Sequence, residues 1–326
     1  MKASVAMITY NHERFIAKAI ESVLMQKVNF RYEIVIGEDC SLDRTREIVL
    51  DFRKRHPDKI RLLLSERNWG DQGRRNFTET IMACKGEYIV LLDGDDFWTA
   101  PNKLQHQVEF LDNHPECSSC FHSVKRIYED GSYDFFYPFG KKEIYTLEDL
   151  LLNTTFICTC SIMFRRGLFG EFPPWFSFSN IKTWDWTLYV LNAQHGHIGY
   201  IDEVMAVYRK HKGALWSSIG PIRQILWDVE TRDCVNTHLA FRYEDKIKRP
   251  FFSRYLKLAK LYEQAGNQKH ARKYLMKCIS NLPFKRAYSS RYLFTVILRL
   301  YFPWLVPRLV SLKSKFVNQT KFRIPF

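Results

Sequence analysis

The sequence predicts an α/β protein with a mostly parallel β-sheet flanked by helices, followed by a helical C-terminal region. Short apolar runs of strand length alternate with segments that carry apolar residues at helical spacing, which is the order of βαβ units. One run, 88–92, is apolar at every position, as strands are when both faces of a parallel sheet are buried. A chain of 326 residues is long enough for one large α/β domain and an accessory piece.

The elements can be assigned in chain order. A first strand at 4–9 is followed by a helical pattern at 13–26 with one apolar face, which makes half of a βαβ unit. No Gly-x-Gly-x-x-Gly follows that strand, so the dinucleotide-binding fingerprint is absent. Further strands are predicted before the turn at 38–43 and at 60–64, 88–92 and 156–164, and helices at 44–55, 76–83, 103–113, 146–152 and from 183. Residues 135–139 are predicted to form an aromatic loop, which could stack on a sugar ring but is better interpreted as a lid or as core packing.

Composition and charge narrow the class of protein. Hydrophobic residues make up 46% of the chain and aromatic residues 15%, which excludes a disordered chain. The net charge of +14 is unevenly distributed. Residues 246–326 carry +18 (19 basic minus 1 acidic), whereas 1–245 carry −4 (30 basic minus 34 acidic). This asymmetry indicates an anionic partner for the C-terminal region.

The eight cysteines do not predict a disulfide framework in a chain of this length. Cys117 and Cys120 have the spacing of half a zinc site, but no second Cys-x-x-Cys pair exists. They also lie in an alternating run, 117–128, which favours thiols buried in the core.

Three carboxylates follow the apolar run 88–92 within four residues. In an extended chain Asp93 and Asp95 point to one side and Asp96 to the other. Two carboxylates at this spacing suit a hard divalent cation such as Mg²⁺, which takes one or two carboxylates and fills its shell with phosphate oxygens. The alternative is an acidic surface turn, since Asp-Gly is a common turn dipeptide. Phe97 and Trp98, directly after the acidic residues, argue against a merely solvated loop.

The stretch Leu91-Leu92-Asp93-Gly94-Asp95-Asp96-Phe97-Trp98 resembles the DxD region of family 2 glycosyltransferases, which have the GT-A fold. Gly94-Asp95-Asp96 also matches the GDD turn of RNA-directed polymerases. A polymerase palm would require an antiparallel hairpin around these residues, whereas alternating strands and helices precede them. The glycosyltransferase resemblance is therefore the better interpretation.

Further stretches match the same family in the same order over 1–217. They are Ile8-Thr9-Tyr10-Asn11, then Asp39, Ser41, Asp43 and Thr45 of a V-D-D-G-S-x-D-x-T pattern, Asn68-x-Gly70 with Arg75-Asn76, an acidic helix start at Asp185, and Tyr208-Arg209-x-His211. Two positions depart from the pattern, because Glu38 replaces the first Asp and Cys40 replaces the Gly. The Q-x-x-R-W motif of processive members is absent, so the resemblance is to non-processive members.

The resemblance implies an inverting transfer of a sugar from a nucleotide-diphosphate sugar, with UDP preferred, to a hydroxyl of a glycan or lipid-linked acceptor in surface polysaccharide synthesis. It assigns Asp185 as the catalytic base and Asp95 as a ligand of Mn²⁺ or Mg²⁺, with His211 as a second metal ligand or a contact of the diphosphate. Asp93 either joins the metal site or binds hydroxyls of the ribose or donor sugar. The nucleotide-sugar pocket is assigned to Thr9, Tyr10, Asn11, Asp39, Arg75, Asp93, Gly94 and Asp95.

Each assignment has a structural alternative. Asp185 is otherwise a helix cap, Asp39 a turn cap, Arg75 an exposed arginine and His211 a packing histidine. Two other functions stay open: a nucleotide-sugar-binding protein without turnover, and a nucleic-acid-binding protein through the basic tail. The retained Asp95 and Asp185 disfavour the first, and we expect no nucleic-acid partner.

We expect a GT-A domain at 1–217 and a basic helical region at 218–326. Within the second, 251–284 resembles one tetratricopeptide helix pair, which cannot bury its apolar face alone and should pack on its neighbours. The tail, 285–326, mixes nine Lys or Arg with aromatic and aliphatic residues and no acid. Its longest uncharged run has eight residues, 300–307, too short to span a bilayer. We expect a cytoplasmic protein without a secretion signal, with an anionic membrane surface as a candidate partner of the tail. The alternative is that the tail is a helical pair whose apolar side packs on the catalytic domain and whose charges face water.

Overall fold

The computed structural model describes residues 1–153, 156–178, 181–281, 296–297 and 299–301. Within these residues the predicted alternation of strands and helices is observed. The strands are β1 Ala3–Thr9, β2 Tyr32–Glu38, β3 Ile60–Leu64, β4 Tyr88–Asp93, β5 Phe97–Trp98, β6 Cys117–Tyr128, β7 Tyr133–Phe136, β8 Ile144–Tyr145, β9 Met163–Arg165 and β10 His197–Lys210. The helices are α1 Ile16–Leu24, α2 Thr45–Arg55, α3 Arg74–Ala83, α4 Lys103–Asn113, α5 Leu147–Leu152, α6 Pro174–Phe178, α7 Trp184–Ala193, α8 Leu215–Ser218, α9 Gly220–His238, α10 Glu244–Lys248, α11 Phe251–Gln264 and α12 Gln268–Ser280.

The strands form one mixed sheet in the order β3-β2-β1-β4-β9-β6-β10-β5, with β7 paired to β6 and β8 to β10. The first four of these strands are parallel, and β6 is parallel to β10, whereas β9, β7, β8 and β5 pair antiparallel. Since β1, β2 and β4 run in one direction, their carboxyl ends lie at the same edge of the sheet. The loops that leave this edge carry most of the predicted site residues.

Both faces of the parallel part are covered, as the fully apolar run of β4 predicts. Val90 and Leu92 pack in the hydrophobic cluster that includes α1, α2 and α4. Ile89 and Leu91 pack in the opposite cluster with α3, α5 and α7. Cys117 and Cys120 are buried free thiols, which confirms their interpretation as core residues.

The prediction of a strand over 156–164 was wrong in extent, because only its end belongs to β9, at Met163–Arg165. Thr159–Ser161 form a 3₁₀ turn instead. Side chains of other elements donate hydrogen bonds to backbone carbonyl groups of this segment. The indole N–H of Trp98 donates to the Cys160 carbonyl at 3.1 Å, and the side-chain amide of Gln107 donates to the Ser161 carbonyl at 2.8 Å. These contacts replace the ladder that a strand requires.

The predicted aromatic loop at 135–139 was wrong in two respects. Phe135 and Phe136 lie in β7, which pairs with β6. Phe135, Tyr137 and Phe139 are exposed rather than packed in the core, Phe139 to 76%. Aromatic residues are common in strands, so Phe135 and Phe136 fit a strand without filling the interior.

The C-terminal helices pack on the sheet domain as expected. Arg232 of α9 is fully buried, lies over the ring of Trp186 in α7 and donates to the carbonyl of Leu151. An ion pair between Asp228 of α9 and Arg254 joins α9 to α11. The helix pair α11 and α12 shares one hydrophobic cluster with α9 and with Val296 and Leu300.

Most of the predicted tail, 285–326, lies outside the described residues. Among those that the structure describes, no helix is both long and apolar enough to cross a membrane.

Candidate functional site

The acidic turn leaves the sheet edge immediately after β4 and is held close to β1. The amide of Gly94 donates to the Ile8 carbonyl at 2.8 Å, and that of Asp96 to the Asp93 carbonyl at 3.0 Å. A Cβ on Gly94 would lie 2.7 Å from the hydroxyl oxygen of Thr9 and 3.0 Å from Nδ1 of His12. Glycine is therefore required because the turn approaches the end of β1 too closely for a side chain.

The turn brings three carboxyl groups together. One oxygen atom each of Asp93, Asp95 and Asp96 lies within 4.8 Å of the others. Oδ1 of Asp96 accepts a hydrogen bond from the amide of Arg209 at 2.8 Å, and its buried Oδ2 has no partner. Clustered carboxylates with a free buried oxygen fit a divalent cation that takes oxygen ligands.

Two histidines meet the carboxylate of Asp95. Nε2 of His211, directly after β10, lies 3.0 Å from Oδ2 of Asp95, and Nε2 of His12 lies 3.8 Å from the same oxygen. The structure therefore places the two predicted metal ligands, Asp95 and His211, in direct contact across 116 residues of sequence. His211 is held further by the ring of Phe15, with 4.8 Å between centroids.

Burial and mutual repulsion shift the pKa values of the three carboxyl groups in the cluster. Burial, followed by the neighbouring carboxylates, raises the pKa of Asp93 and of Asp96 well above the ordinary value. Burial also raises the pKa of Asp95, but the hydrogen bond with His211 and the proximity of His12 outweigh it, so this pKa is lowered. Like charges in a low-dielectric site raise one another's pKa, and a bound cation would relieve this.

Asp185 lies in the first turn of α7, close to the cluster. Burial raises the pKa of Asp185, and its carboxylate is near enough to Asp93 to raise the pKa of that residue as well. Thr183 occupies the N-cap position without a capping side-chain bond. A carboxylate at a helix start that faces other carboxylates, rather than solvent alone, suits proton transfer as well as capping.

The loop after β1 is joined to the loop after β2 by five hydrogen bonds. The Asn11 amide donates to Oγ of Ser41, and Oδ1 of Asn11 accepts from the Leu42 amide at 2.8 Å. The other three are His12 N to Thr45 Oγ1, Glu13 N to Asp43 Oδ2, and Arg44 N to Glu13 Oε2. Asn11 has φ of 53° and Cys40 of 58°. Cys40 therefore keeps the left-handed conformation for which the family pattern has Gly.

Asp39 follows β2 and is 3% exposed. Its Oδ2 accepts a hydrogen bond from the side-chain amide of Asn68 at 3.1 Å, while its Oδ1 is buried without a partner. Burial, followed by Asp71 and Glu38, raises the pKa of Asp39 to about 6. A free acceptor oxygen in this position suits an N–H donor of a ligand.

The other predicted pocket residues differ in exposure. Thr9 is buried at the end of β1, with its hydroxyl 3.2 Å from Nδ1 of His12, and Tyr10 is exposed. Arg75 is paired with Glu79 and lies over the ring of Trp69 at 3.8 Å. The contacts of Arg75 are thus on α3 and the preceding loop, and its role at a diphosphate stays a prediction.

The sequence analysis missed three residues at the cluster. His12 contacts Asp95, and the signal was its position beside Asn11 in the loop after β1. Asp96 completes the carboxylate group, although we named it only as a turn residue. Arg209 donates to the carbonyl of Asp95 and stacks between Phe15 and Phe97. Its place in Tyr-Arg-x-His was the available signal.

Comparison with known proteins agrees with this geometry. The family described as Glycosyl transferase family 2 matches residues 4–172. An uncharacterized protein of Mycobacterium tuberculosis is 37% identical over 225 residues, which are 69% of this chain and 63% of that protein. A putative teichuronic acid biosynthesis glycosyltransferase of Bacillus subtilis, TuaG, is 29% identical over 70% of this chain and 87% of its own length. The chain thus spans less than two thirds of the length of the mycobacterial relative.

Solved structures support the same fold. Staphylococcus aureus TarS 1–349, in complex with UDP-GlcNAc, has a TM-score of 0.54 and 17% identity, over 89% of this chain and 95% of TarS 1–349. The mannosyltransferase PcManGT of Pyrobaculum calidifontis, in complex with GDP-Man and Mn²⁺, has a TM-score of 0.52 and 16% identity, over 99% of this chain and 88% of the PcManGT chain. At these identities the similarity establishes the fold alone, which is that of GT-A glycosyltransferases.

The sheet order and the carboxylate cluster at its edge therefore define a GT-A type protein. The chain belongs to glycosyl transferase family 2.

Proposed function

We propose that this protein is an inverting glycosyltransferase that moves a sugar from a nucleotide-diphosphate sugar to a hydroxyl group of a glycan or lipid-linked acceptor. The observation that carries the proposal is the cluster of Asp93, Asp95 and Asp96, with His211 on Asp95 and Asp185 close by. The reaction has two requirements: a cation that binds the diphosphate of the donor, and a proton acceptor beside it for the hydroxyl of the acceptor.

The proton acceptor in this proposal is Asp185. Its carboxylate removes the proton from the acceptor hydroxyl while that oxygen attacks the anomeric carbon of the donor sugar, and the nucleoside diphosphate leaves on the opposite side. The raised pKa of Asp185 supports this role, because a base is most effective when its pKa approaches the working pH.

A divalent metal ion, Mn²⁺ or Mg²⁺, fits the donor set of the cluster. Asp95 and His211 are the proposed ligands, and Asp93 and the free Oδ2 of Asp96 are further candidates. Such an ion offsets the charge that develops on the leaving diphosphate. Arg209 fixes the turn by its bonds to Asp95 and Asp96, so the carboxylates are oriented before any ligand arrives.

The nucleotide pocket is proposed to lie between the loops after β1 and β2. Asp39 accepts the imide N–H of the base, which makes UDP the preferred nucleotide, and Thr9, Tyr10 and Asn11 line the base and ribose. TarS was solved with UDP-GlcNAc, whereas PcManGT was solved with GDP-Man, so GDP is the competing choice. Gly94, Asp93 and Arg75 complete the proposed donor site.

We assign the acceptor to surface polysaccharide synthesis because one relative is described as acting in teichuronic acid biosynthesis and another, WfgD of Escherichia coli, as using a diphosphoundecaprenol acceptor. We place the catalytic unit at 1–217 and the basic helical region at 218–326.

The test is release of nucleoside diphosphate from a panel of UDP- and GDP-sugars with Mn²⁺, with and without EDTA. We expect release from at least one donor, its loss with EDTA, and its loss in Asp185→Asn. Asp245→Asn is the matched control, because Asp245 also lies in the first turn of a helix, α10. A binding protein without turnover would show donor affinity but no release. Release by Asp185→Asn at the wild-type rate would refute the role of Asp185.

We further propose that the tail, 285–326, holds the protein on an anionic membrane surface at the cytoplasmic face. Its basic and aromatic composition supports this, at about 1 kcal/mol for each basic residue near such a surface. The buried Val296 and Leu300 show that part of the tail's apolar side chains packs on the protein. Full-length protein should float with anionic liposomes, less so in high salt, and the 1–284 truncation should stay in solution while folded, which thermal unfolding verifies. Equal behaviour of both would refute the proposal.

A further inference from the structure

Three aromatic side chains form an exposed row along β7 and the residue that follows it. The ring centroids of Tyr133 and Phe135 are 5.9 Å apart, and those of Phe135 and Tyr137 are 6.3 Å apart. These side chains are 59%, 46% and 44% exposed. An ammonium group lies at each end, with Nζ of Lys125 3.8 Å from the Tyr133 centroid and Nζ of Lys141 4.7 Å from that of Tyr137. We call Tyr133, Phe135 and Tyr137 the aromatic row.

The strand that carries the row is firmly fixed. β7 pairs antiparallel with β6 from Val124 to Ile127. Arg126 on β6 donates to both carboxylate oxygens of Asp134, and the hydroxyl of Tyr128 donates to Asp134 at 3.1 Å. The backbone under Tyr133 and Phe135 is therefore fixed by strand pairing and by the bonds of Asp134, which reduces the ordering that binding requires and favours affinity.

The hairpin of β6 and β7 leads to the site. β6 runs parallel to β10 with Tyr128 opposite Lys210, and the next residue, His211, contacts Asp95. An open surface depression of about 340 Å³ lies between the hairpin end, 128–130, and the end of β10, 210–212, with Ser217 beside it. One wall of this depression thus belongs to the hairpin that carries the row, and the other wall includes His211, which contacts Asp95 of the carboxylate cluster.

We propose that the aromatic row docks the saccharide chain of the acceptor, which then reaches the carboxylate cluster past the end of β10. Sugar rings present apolar C–H faces and polar hydroxyl edges. The row matches them with aromatic faces, two tyrosine hydroxyls and the two flanking ammonium groups. This inference rests on the proposed glycosyltransferase function and identifies a binding surface for its acceptor.

Charge distinguishes this occupant from a membrane. Residues 125–143 contain four basic side chains (Lys125, Arg126, Lys141 and Lys142) and four acidic ones (Glu129, Asp130, Asp134 and Glu143). The segment 125–143 therefore has no net charge and by itself gains no net attraction to anionic lipids. A neutral surface of exposed aromatic rings fits a polyhydroxylated ligand better than a charged bilayer.

The test compares full-length wild type with the variant Tyr133→Thr/Phe135→Thr/Tyr137→Thr and with Phe135→Thr alone. Threonine suits an exposed strand, so these variants should fold, which thermal unfolding verifies. Phe139→Thr is the matched control, because Phe139 is more exposed than any residue of the row but lies beyond it. Each protein is titrated with UDP and Mn²⁺, applied to a microarray of bacterial and model oligosaccharides, and mixed with anionic liposomes.

We expect wild type and Phe139→Thr to bind a subset of the oligosaccharides. The triple variant should lose that binding about tenfold or more, as when aromatic hot-spot residues are removed, and Phe135→Thr should lose part of it. UDP affinity should be the same in all four proteins. Equal oligosaccharide binding by the triple variant, or no oligosaccharide binding by a wild type that binds UDP, would overturn the inference. Liposome binding that depends on the row would overturn it in favour of a membrane. Failure of wild type to bind any nucleotide would instead overturn the proposed function.

Discussion

Replacing Asp39 with asparagine is expected to stabilise the protein while weakening nucleotide binding. Asp39 is almost fully buried, and its pKa is about 6, compared with an ordinary value of 3.8. Between these values the native state holds more protons than the unfolded state, so the free energy of unfolding falls as pH rises from 3.8 to about 6. Above this window the buried charge costs the native state about 3 kcal/mol at most, at 1.36 kcal/mol per pKa unit.

The amide of asparagine has no charge to bury. We therefore expect Asp39→Asn to gain up to about 3 kcal/mol of stability at pH 7, or several degrees in Tm, and nothing below about pH 4. Nucleotide affinity should fall about tenfold, because a hydrogen bond to a carboxylate contributes about 1 to 1.5 kcal/mol more than one to a neutral amide oxygen. The gain in stability and the loss in affinity come from the same carboxylate.

The assay is thermal unfolding at pH 4, 5, 6 and 7, with calorimetric titration of UDP at pH 7. Asp51→Asn is the control, since Asp51 is exposed on α2 and paired with Arg55, and its removal should change stability by about 0.5 kcal/mol or less. If Asp39→Asn is no more stable than wild type at pH 7, the interpretation that Asp39 carries a destabilising buried charge is refuted. A stabilised variant that binds UDP as wild type does would refute the role of Asp39 in base recognition.

Four further substitutions test other parts of the account. Asp185→Asn should lower transfer about 10²- to 10⁴-fold with donor affinity unchanged, as measured by initial rates and calorimetry; a smaller loss would reduce Asp185 to a helix cap. Asp95→Ala should remove the Mn²⁺-dependent part of UDP affinity, and unchanged Mn²⁺ dependence in calorimetry would contradict the metal site. Gly94→Ala should lower Tm and donor affinity together, because its Cβ would collide with Thr9; normal values of both would show that the turn can relax. Lys103→Met should raise Tm by a few degrees, and by more at pH 6 than at pH 9. Burial lowers the pKa of Lys103 to about 7, so the wild-type native state loses stability as the pH falls and the amine gains a proton. A larger gain at pH 9 than at pH 6 would refute this.

The sequence was most informative where one physical requirement controls a whole segment. The fully apolar β4 required cover on both faces, and α4 began and ended at the predicted residues because its apolar periodicity is regular. Thr146 caps α5 by a capping box with Asp149, as its residue type predicts. In each of these cases local chemistry and tertiary packing favour the same structure.

The failures occurred where distant groups decide the outcome. The segment 156–164 is as apolar as a buried strand, but the side chains of Trp98 and Gln107 donate hydrogen bonds to its backbone carbonyl groups. The aromatic residues at 135–139 resemble a core segment, yet the rings of Phe135, Tyr137 and Phe139 are exposed. Contacts made by side chains tens of residues away leave no local pattern in the sequence.

The site shows the same division. The resemblance placed Asp95 and His211 together before any distance was known, and the structure brings them within 3.0 Å. The contact of His12 with Asp95 depends on how the loop after β1 is held by Ser41, Asp43 and Thr45, which spacing alone does not predict.

The central claim is that the carboxylate cluster binds a nucleotide diphosphate together with a divalent cation. Calorimetric titration of UDP, and separately of GDP, into the wild-type protein, with Mn²⁺ and then with EDTA, tests it most directly. The account predicts one UDP site whose affinity rises markedly with Mn²⁺ and which adds about 2.7 kcal/mol of stability at 100 times Kd. Absence of binding by both UDP and GDP in the presence of Mn²⁺ would contradict it.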